Sequence, residues 1–274
     1  MTLDTRPLQP NLGTEILDVD LAAIDDDTFE AIRTIWQNDP VVLFRRQSLT
    51  EQGLVSFSKR FGTLDLDTIK TVTVDDPAAE DRNPELFYVS NLLYQDGAKV
   101  GGLSNDEIVW HTDLIFRARP ASGSIFYGVE MPNGTAKTSY CNMAHAYRTL
   151  PEDLKRAVDG KRARCKYGTE DPLSSFMRAN IDKNFRRETN SQEETAEIDR
   201  QTPEVVHDMV LRNPVTGDGS LYLSPNHTTA IENMSEADGR ALFDALMDHA
   251  LQPENIYTHD WRNGDVLLWD NSRL

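Results

Sequence analysis

Cysteine is almost missing from this chain. Cys141 and Cys165 are its only two in 274 residues, too few for a disulfide framework, and they form no Cys-x-x-Cys pair. A reduced, cytoplasmic setting suits that usage. Long apolar runs are missing too: nothing approaches the ~18 apolar residues that a membrane helix needs. Met1 to Asn11 has no basic start followed by an apolar stretch, so no signal peptide is expected. Basic residues are in deficit, 28 Lys and Arg against 45 Asp and Glu, for a formal charge of −17. A surface of that sign disfavours nucleic acid and anionic membrane as partners. Repeats, low-complexity tracts and a zinc-type His-Glu-x-x-His are also absent. What remains is a globular protein with 39% hydrophobic residues, enough for one large domain or two small ones.

The acids Asp25-Asp26-Asp27 suit a helix N-terminus. Phe29, Ile32 and Trp36 then recur at helical spacing, and Asp39-Pro40 ends the helix. Val41–Phe44 predicts a buried strand. Thr50 is placed to cap a second helix with Leu54, Phe57 and Phe61 on one face and Gly62 at its end. Strands are predicted at 86–89, 108–118, 123–130 and 136–143, then a helix over 144–158. Residues 168–203 are polar and predict an exposed insertion, suited to act as a lid. Leu221-Tyr222-Leu223, a helix capped by Ser235, a turn at 260–265 and the strand Val266–Trp269 complete the chain. Many short strands broken by helices point to a mainly β fold, a sandwich or barrel with flanking helices, and not to regular βαβ alternation.

The sharpest chemical signal is Trp110-His111-Thr112-Asp113. On a strand, side chains two apart share a face, so His111 and Asp113 would stand together. An imidazole and a carboxylate side by side can bind a divalent metal. With a second histidine they make the two-histidine, one-carboxylate triad of non-haem iron oxygenases. Taken alone, His-x-Asp is as readily a surface hydrogen-bonded pair.

The surrounding residues carry more. Trp110 to Phe116 with Pro120-Ala121 resembles the first metal-ligand segment of the taurine dioxygenase-like (TauD/TfdA) family of Fe(II)/2-oxoglutarate-dependent dioxygenases. Val41-Leu43-Phe44-Arg45 with Phe57–Phe61-Gly62, Thr138–Met143 with Ala146-Tyr147 and Leu150-Pro151, Asn213–Gly217 with Leu221-Tyr222, and Asn263-Gly264-Asp265 through Trp269-Asp270-Asn271 resemble later segments of that family, in order. The resemblance implies a double-stranded β-helix (jelly-roll) core over 85–274, carrying the 168–203 insertion, behind a helix and strand part at 1–64. It implies His111 and Asp113 as iron ligands, and Thr138 as a hydroxyl donor to a carboxylate of 2-oxoglutarate. Without it, Thr138 is an ordinary strand threonine. It also implies oxidation of a small molecule, anionic in many relatives, by O2, with release of succinate and CO2. The retained Asp113 favours hydroxylation or desaturation over halogenation.

The family places its second metal histidine five residues after the asparagine of Trp-Asp-Asn, here two positions past Leu274. The arginine that pairs with the far carboxylate of 2-oxoglutarate lies further on. The expectation is therefore a chain truncated before its last core strands, inactive in this length, with Val266–Trp269 as an uncovered sheet edge. Among the other histidines, His145, His207, His249 and His259 are expected to be packed or exposed, while His227 falls in a segment that faces the substrate pocket in relatives. Arg117, Arg119 and Arg273 are candidates for a basic group in that pocket. The expected partners are the small-molecule substrate and, as relatives often form dimers or tetramers, further copies of the chain. The rival function is a non-catalytic ligand-binding relative of the same fold.

Overall fold

The computed structural model describes residues 2–66, 82–98, 100–101, 109–132, 134, 136–167, 200–214 and 217–274. Most of the polar 168–203 segment lies outside the described residues.

A five-stranded sheet organises one half of the molecule. Its strands are β1 (Thr5–Pro7), β2 (Thr14–Ile16), β3 (Val41–Phe44), β4 (Gly123–Tyr127) and β12 (Val266–Asp270), in the order β1-β2-β3-β12-β4. β2 and β3 run parallel, and the other neighbours are antiparallel. The apolar runs of β3 and β12 follow from burial on both faces. Val42, Phe44, Val266 and Leu268 point to one side, where α1 (Asp26–Asn38) and α2 (Glu51–Lys59) supply Phe29, Ile32 and Phe57. Val41, Leu43 and Leu267 point to the other, toward Tyr140 and Trp261. Gly123 lets β4 approach: a Cβ there would stand 2.6 Å from the Trp269 carbonyl oxygen and 2.8 Å from the Trp36 ring.

Across that second face lies a ladder of β5 (Lys137–Cys141) and β11 (Ile256–Asp260), in register from Thr138↔His259 to Cys141↔Ile256. Behind it are the helices α3 (Met143–Thr149), α4 (Glu152–Val158) and α5 (Glu236–Ala250). The three-stranded sheet β10-β6-β7 (Thr228–Ile231, Arg162–Cys165, Val205–Asp208) and the pair β8, β9 (Val210–Arg212, Gly219–Leu221) complete the set. A core of Phe243, Leu246, Leu221, Met209 and Ala146 joins these parts.

The capping expectations hold. Asp25 accepts from Thr28 N, Thr50 from Gly53 N and Ser235 from Asp238 N, each satisfying a helix-end N–H. Four expectations are corrected. The 144–158 helix is two helices, since Pro151 has no N–H to continue the first. Residues 86–89 contain only an isolated bridge at Val89. Residues 109–118 form turns and not a strand, with Leu114 at φ 58°. Finally, β12 is no edge. It is paired with β3 on one side and β4 on the other, so the uncovered-edge argument does not apply. Among the described residues no helix is long and apolar enough to cross a membrane.

Cys141 and Cys165 are both buried, and burial pushes both thiols up to about 12. Reaction needs the thiolate and access. Native protein at pH 8 is expected to show essentially no thiol reacting with Ellman's reagent over minutes, and two after unfolding in guanidinium. A rapidly labelled thiol in the native protein would contradict this packing.

Candidate active site

His111 and Asp113 converge although no strand carries them. The backbone from Val109 to Arg117 is a series of turns, closed by Arg117 N donating to Leu114 O at 2.8 Å. Side-chain anchors replace the sheet ladder. The Thr112 hydroxyl contacts both Asn271 O and Leu274 O at 2.9 Å, which fastens the loop to the turn after β12. His207 Nε2 lies 2.8 Å from Ile115 O and 3.1 Å from Arg117 O, securing its far end. The C-terminal turn therefore packs against the His111–Asp113 loop.

The two functional atoms are held from behind. His111 Nδ1 sits 2.8 Å from Val109 O; donation to that carbonyl fixes the tautomer that leaves Nε2 as the outward nitrogen. Asp113 Oδ2 accepts from the Ser124 hydroxyl at 2.6 Å. That leaves Asp113 Oδ1 facing His111 Nε2 at 3.4 Å, with the side chains 31% and 34% exposed. Such a gap is at the long limit of a hydrogen bond. It is close to the spacing of two donor atoms each about 2.1 Å from one ion. The supports are themselves supported: Asn271 Nδ2 donates to Ser124 Oγ at 3.1 Å, and Trp269 Nε1 donates to Asn271 Oδ1 at 2.9 Å.

The electrostatics suit a cation. Burial would raise the Asp113 carboxyl, but the hydrogen bond and charge of His111, the Ser124 hydroxyl and the charge of His227 outweigh it and hold it below the usual range. Burial would lower His111. The hydrogen bond and charge of Asp113, with the Val109 carbonyl, more than reverse that. A carboxylate facing an imidazole nitrogen, each oriented by its other polar atom, is a donor set that fits a divalent transition metal. Among the described residues no group of three metal-ligating side chains forms, so these two donors would need a third from elsewhere.

His227 is 6% exposed and stands beside this pair, its ring centroid 6.5 Å from that of His111. Phe116 and Tyr167 flank it at 5.0 and 6.0 Å, forming an aromatic wall. Thr138 lies on β5, where its hydroxyl oxygen accepts the indole N–H of Trp261 at 2.8 Å. Indole can only donate, so the Thr138 proton must point to another acceptor. Arg273 is committed elsewhere: it pairs with Asp270 at 2.6 Å and donates to Gln37 O at the end of α1. The other histidines are structural. His145 bonds Asn255, His249 reaches Ala146 O, and His259 is fully buried against Asp265.

The profile of the "Taurine catabolism dioxygenase TauD, TfdA family" matches residues 4–274. The chain belongs to the TauD/TfdA family. Among its relatives are a pentalenolactone F synthase of Streptomyces avermitilis, 29% identical over 94% of this chain and 83% of the relative, and an alpha-ketoglutarate-dependent sulfate ester dioxygenase of Pseudomonas putida, 30% identical over 99% and 82%. The solved structure of AAD-2 in complex with Mn(II) and N-oxalylglycine superposes with a TM-score of 0.75 at 26% identity, covering 100% of this chain and 89% of that one. Several relatives are named as alpha-ketoglutarate-dependent dioxygenases, which supports that enzyme class for the family member here and implies 2-oxoglutarate and O2 as co-substrates, with iron implied by the family.

Ser124, Asn271, Thr112 and His207 were not anticipated as supports of a TauD/TfdA site. Asn271, inside Trp269-Asp270-Asn271, and Thr112, inside Trp110-His111-Thr112-Asp113, lie in motifs the sequence offers, though neither motif indicates this role. Ser124 meets Asp113 across 11 residues and Asn271 across 147, while the contacts of Thr112 span 159 or more and those of His207 span 90 or more.

Proposed function

We propose that the chain is an Fe(II)- and 2-oxoglutarate-dependent oxygenase that hydroxylates a C–H bond of a small anionic molecule, on a jelly-roll core, with His111 and Asp113 as metal ligands and Thr138 as a 2-oxoglutarate contact. The observation that carries this reading is the 3.4 Å approach of His111 Nε2 and Asp113 Oδ1, each with its second polar atom anchored to protein. When bound, the iron supplies the activation of O2 that couples decarboxylation of 2-oxoglutarate to substrate oxidation. The chain's own residues do the rest. Val109 and Ser124 fix the ligand atoms, Thr138 offers a proton to a carboxylate, and His227, Phe116 and Tyr167 wall the pocket beside the metal. An anionic substrate is suggested by the sulfate ester and 2,4-dichlorophenoxyacetate named for relatives.

The second reading, a non-catalytic binder, is favoured by the two-donor set among the described residues. Anaerobic addition of Fe(II) and then 2-oxoglutarate to the full chain separates the two. An oxygenase is expected to develop a weak visible charge-transfer band that saturates with 2-oxoglutarate. A flat visible spectrum under saturating metal and 2-oxoglutarate would remove the oxygenase reading.

A further inference from the structure

The polar chain behind Asp113 can run in only one direction. It starts at Trp269, whose indole nitrogen donates and cannot accept. Trp269 Nε1 lies 2.9 Å from Asn271 Oδ1, so that end of the amide is the carbonyl. The NH2 end then meets two acceptors, Ala121 O at 3.3 Å and Ser124 Oγ at 3.1 Å. A flipped amide would set its NH2 against the indole N–H and its oxygen against the Ala121 carbonyl. With an N–H on its oxygen, the Ser124 hydroxyl turns its own proton to Asp113 Oδ2, 2.6 Å away. Each group in the series leaves its neighbour a single role.

The frame that carries this chain is part of the main sheet. Trp269 and Ser124 stand opposite each other in the β12–β4 ladder, and Asp270 stands opposite Gly123. The Asn271 backbone N–H donates to Ser122 O at 3.1 Å, and the residue is 2% exposed. The Trp269 ring packs on Tyr140 with centroids 5.5 Å apart. The consequence falls on one atom at the far end. Asp113 Oδ2 is occupied by a protein donor, and Oδ1 faces His111 Nε2 at 3.4 Å. A carboxylate can grip a cation through one oxygen or through both. A charge-assisted hydrogen bond on Oδ2 is of the stronger kind and opposes the second mode.

We propose that Trp269 and Asn271 are positioning residues for the metal site, acting through Ser124. They fix the direction of its hydroxyl, reserve Asp113 Oδ2 for the protein and leave Oδ1 as the one oxygen offered to the ion. The position that a two-oxygen grip would take then stays open to water or 2-oxoglutarate. This rests on Asp113 as a metal ligand, as in the oxygenase reading above.

The test fills the full chain with Mn(II) and compares wild type with Ser124→Ala, Ser124→Thr, Trp269→Phe and Asn271→Ala. Calorimetry sets the Mn(II) concentration that fills each site, and water-proton relaxation then counts the waters on the ion. In Ser124→Ala the released Oδ2 is expected to join Oδ1 on the ion, so one bound water is lost. Ser124→Thr keeps the hydroxyl and is expected to keep the wild-type number. Trp269→Phe and Asn271→Ala are expected to lose bound water in the same direction, to a smaller extent, because the serine proton is then free to turn away. A wild-type water number in filled Ser124→Ala overturns the proposal whatever happens to the Tm, because the network would then only brace the end of the β4–β12 ladder. A loss in Ser124→Thr equal to that in Ser124→Ala also overturns it, since the hydroxyl would not be the cause. So does a loss in Ser124→Ala with wild-type numbers in both Trp269→Phe and Asn271→Ala. All three results leave the oxygenase reading intact. If wild type takes up no Mn(II), the metal reading itself fails and takes this one with it.

Discussion

Asp113→Ala is expected to abolish substrate-coupled succinate release and to weaken Mn(II) binding by more than about 100-fold. The magnitude comes from what the substitution removes. Losing a group that merely supports a ligand typically costs 10- to 100-fold in metal affinity, and here a proposed ligand itself goes. The site keeps His111 Nε2, still oriented by Val109 O, but loses the negative charge that balances a divalent ion. Ser124 Oγ would also lose its 2.6 Å acceptor while still receiving the Asn271 amide. Stability should change little, since Asp113 is 31% exposed and its close partners among the described residues are Ser124 and His111. Isothermal titration with Mn(II) and a succinate assay on the full chain would measure the two losses. Turnover equal to wild type would take Asp113 out of the site, and the oxygenase reading with it.

His111 and Asp113 were legible because their spacing and context are local, yet the reason first given for their convergence was wrong. Strand alternation was expected to bring them together. Instead a turn with Leu114 at positive φ does so, tethered by Thr112 to Asn271 and Leu274 and by His207 to Ile115 and Arg117. No pattern of period two or 3.6 encodes such tethers, because each joins residues far apart in sequence. The helices were readable for the opposite reason: caps at Asp25, Thr50 and Ser235 act within three residues. The strand at 266–269 was also readable from its apolar run, but its neighbours were not. Composition says that a strand is buried on both faces; it does not say that β3, more than 200 residues earlier, and β4 lie on either side. His259 shows the same limit. A histidine next to a turn looked unremarkable, and it proves to be fully buried in a charged network.

That network carries the largest stability effect expected away from the site. Asp265 is 1% exposed, and one of its oxygens, Oδ2, serves three partners: Arg45 Nη1 at 2.7 Å, Arg262 N at 2.9 Å and His259 Nε2 at 3.0 Å. His259 Nδ1 lies 2.8 Å from the Tyr257 hydroxyl, so a single ring proton, on Nε2, satisfies both neighbours. The contacts join three elements at one corner. Arg45 directly follows β3, His259 belongs to β11, and Asp265 directly precedes β12 after the tight turn at Gly264, where a φ of +84° and the 2.9 Å that a Cβ would stand from Gln47 O suit glycine. Asp265→Ala would leave a guanidinium, an imidazole N–H and a backbone N–H without their shared acceptor. Breaking a buried ion pair on one side typically costs 3–5 kcal/mol, and Asp265→Ala is expected to fall in about that range. Asp265→Asn retains an acceptor oxygen at the Oδ2 position and places its NH2 where Oδ1 stands, an atom with no partner among the described residues; it should recover part of the loss, to about 1–3 kcal/mol. Urea unfolding followed by tryptophan fluorescence would rank the three proteins, with Trp261 beside His259 at 4.6 Å as a local reporter. An alanine variant within about 1 kcal/mol of wild type would mean that the corner is held by the β-strand ladders and not by its charges. The same ranking bears on the site, because His259 pairs in register with Thr138, and Trp261 donates to the Thr138 hydroxyl. Loosening Asp265 is therefore expected to reach the proposed co-substrate contact, Thr138, as well as the fold.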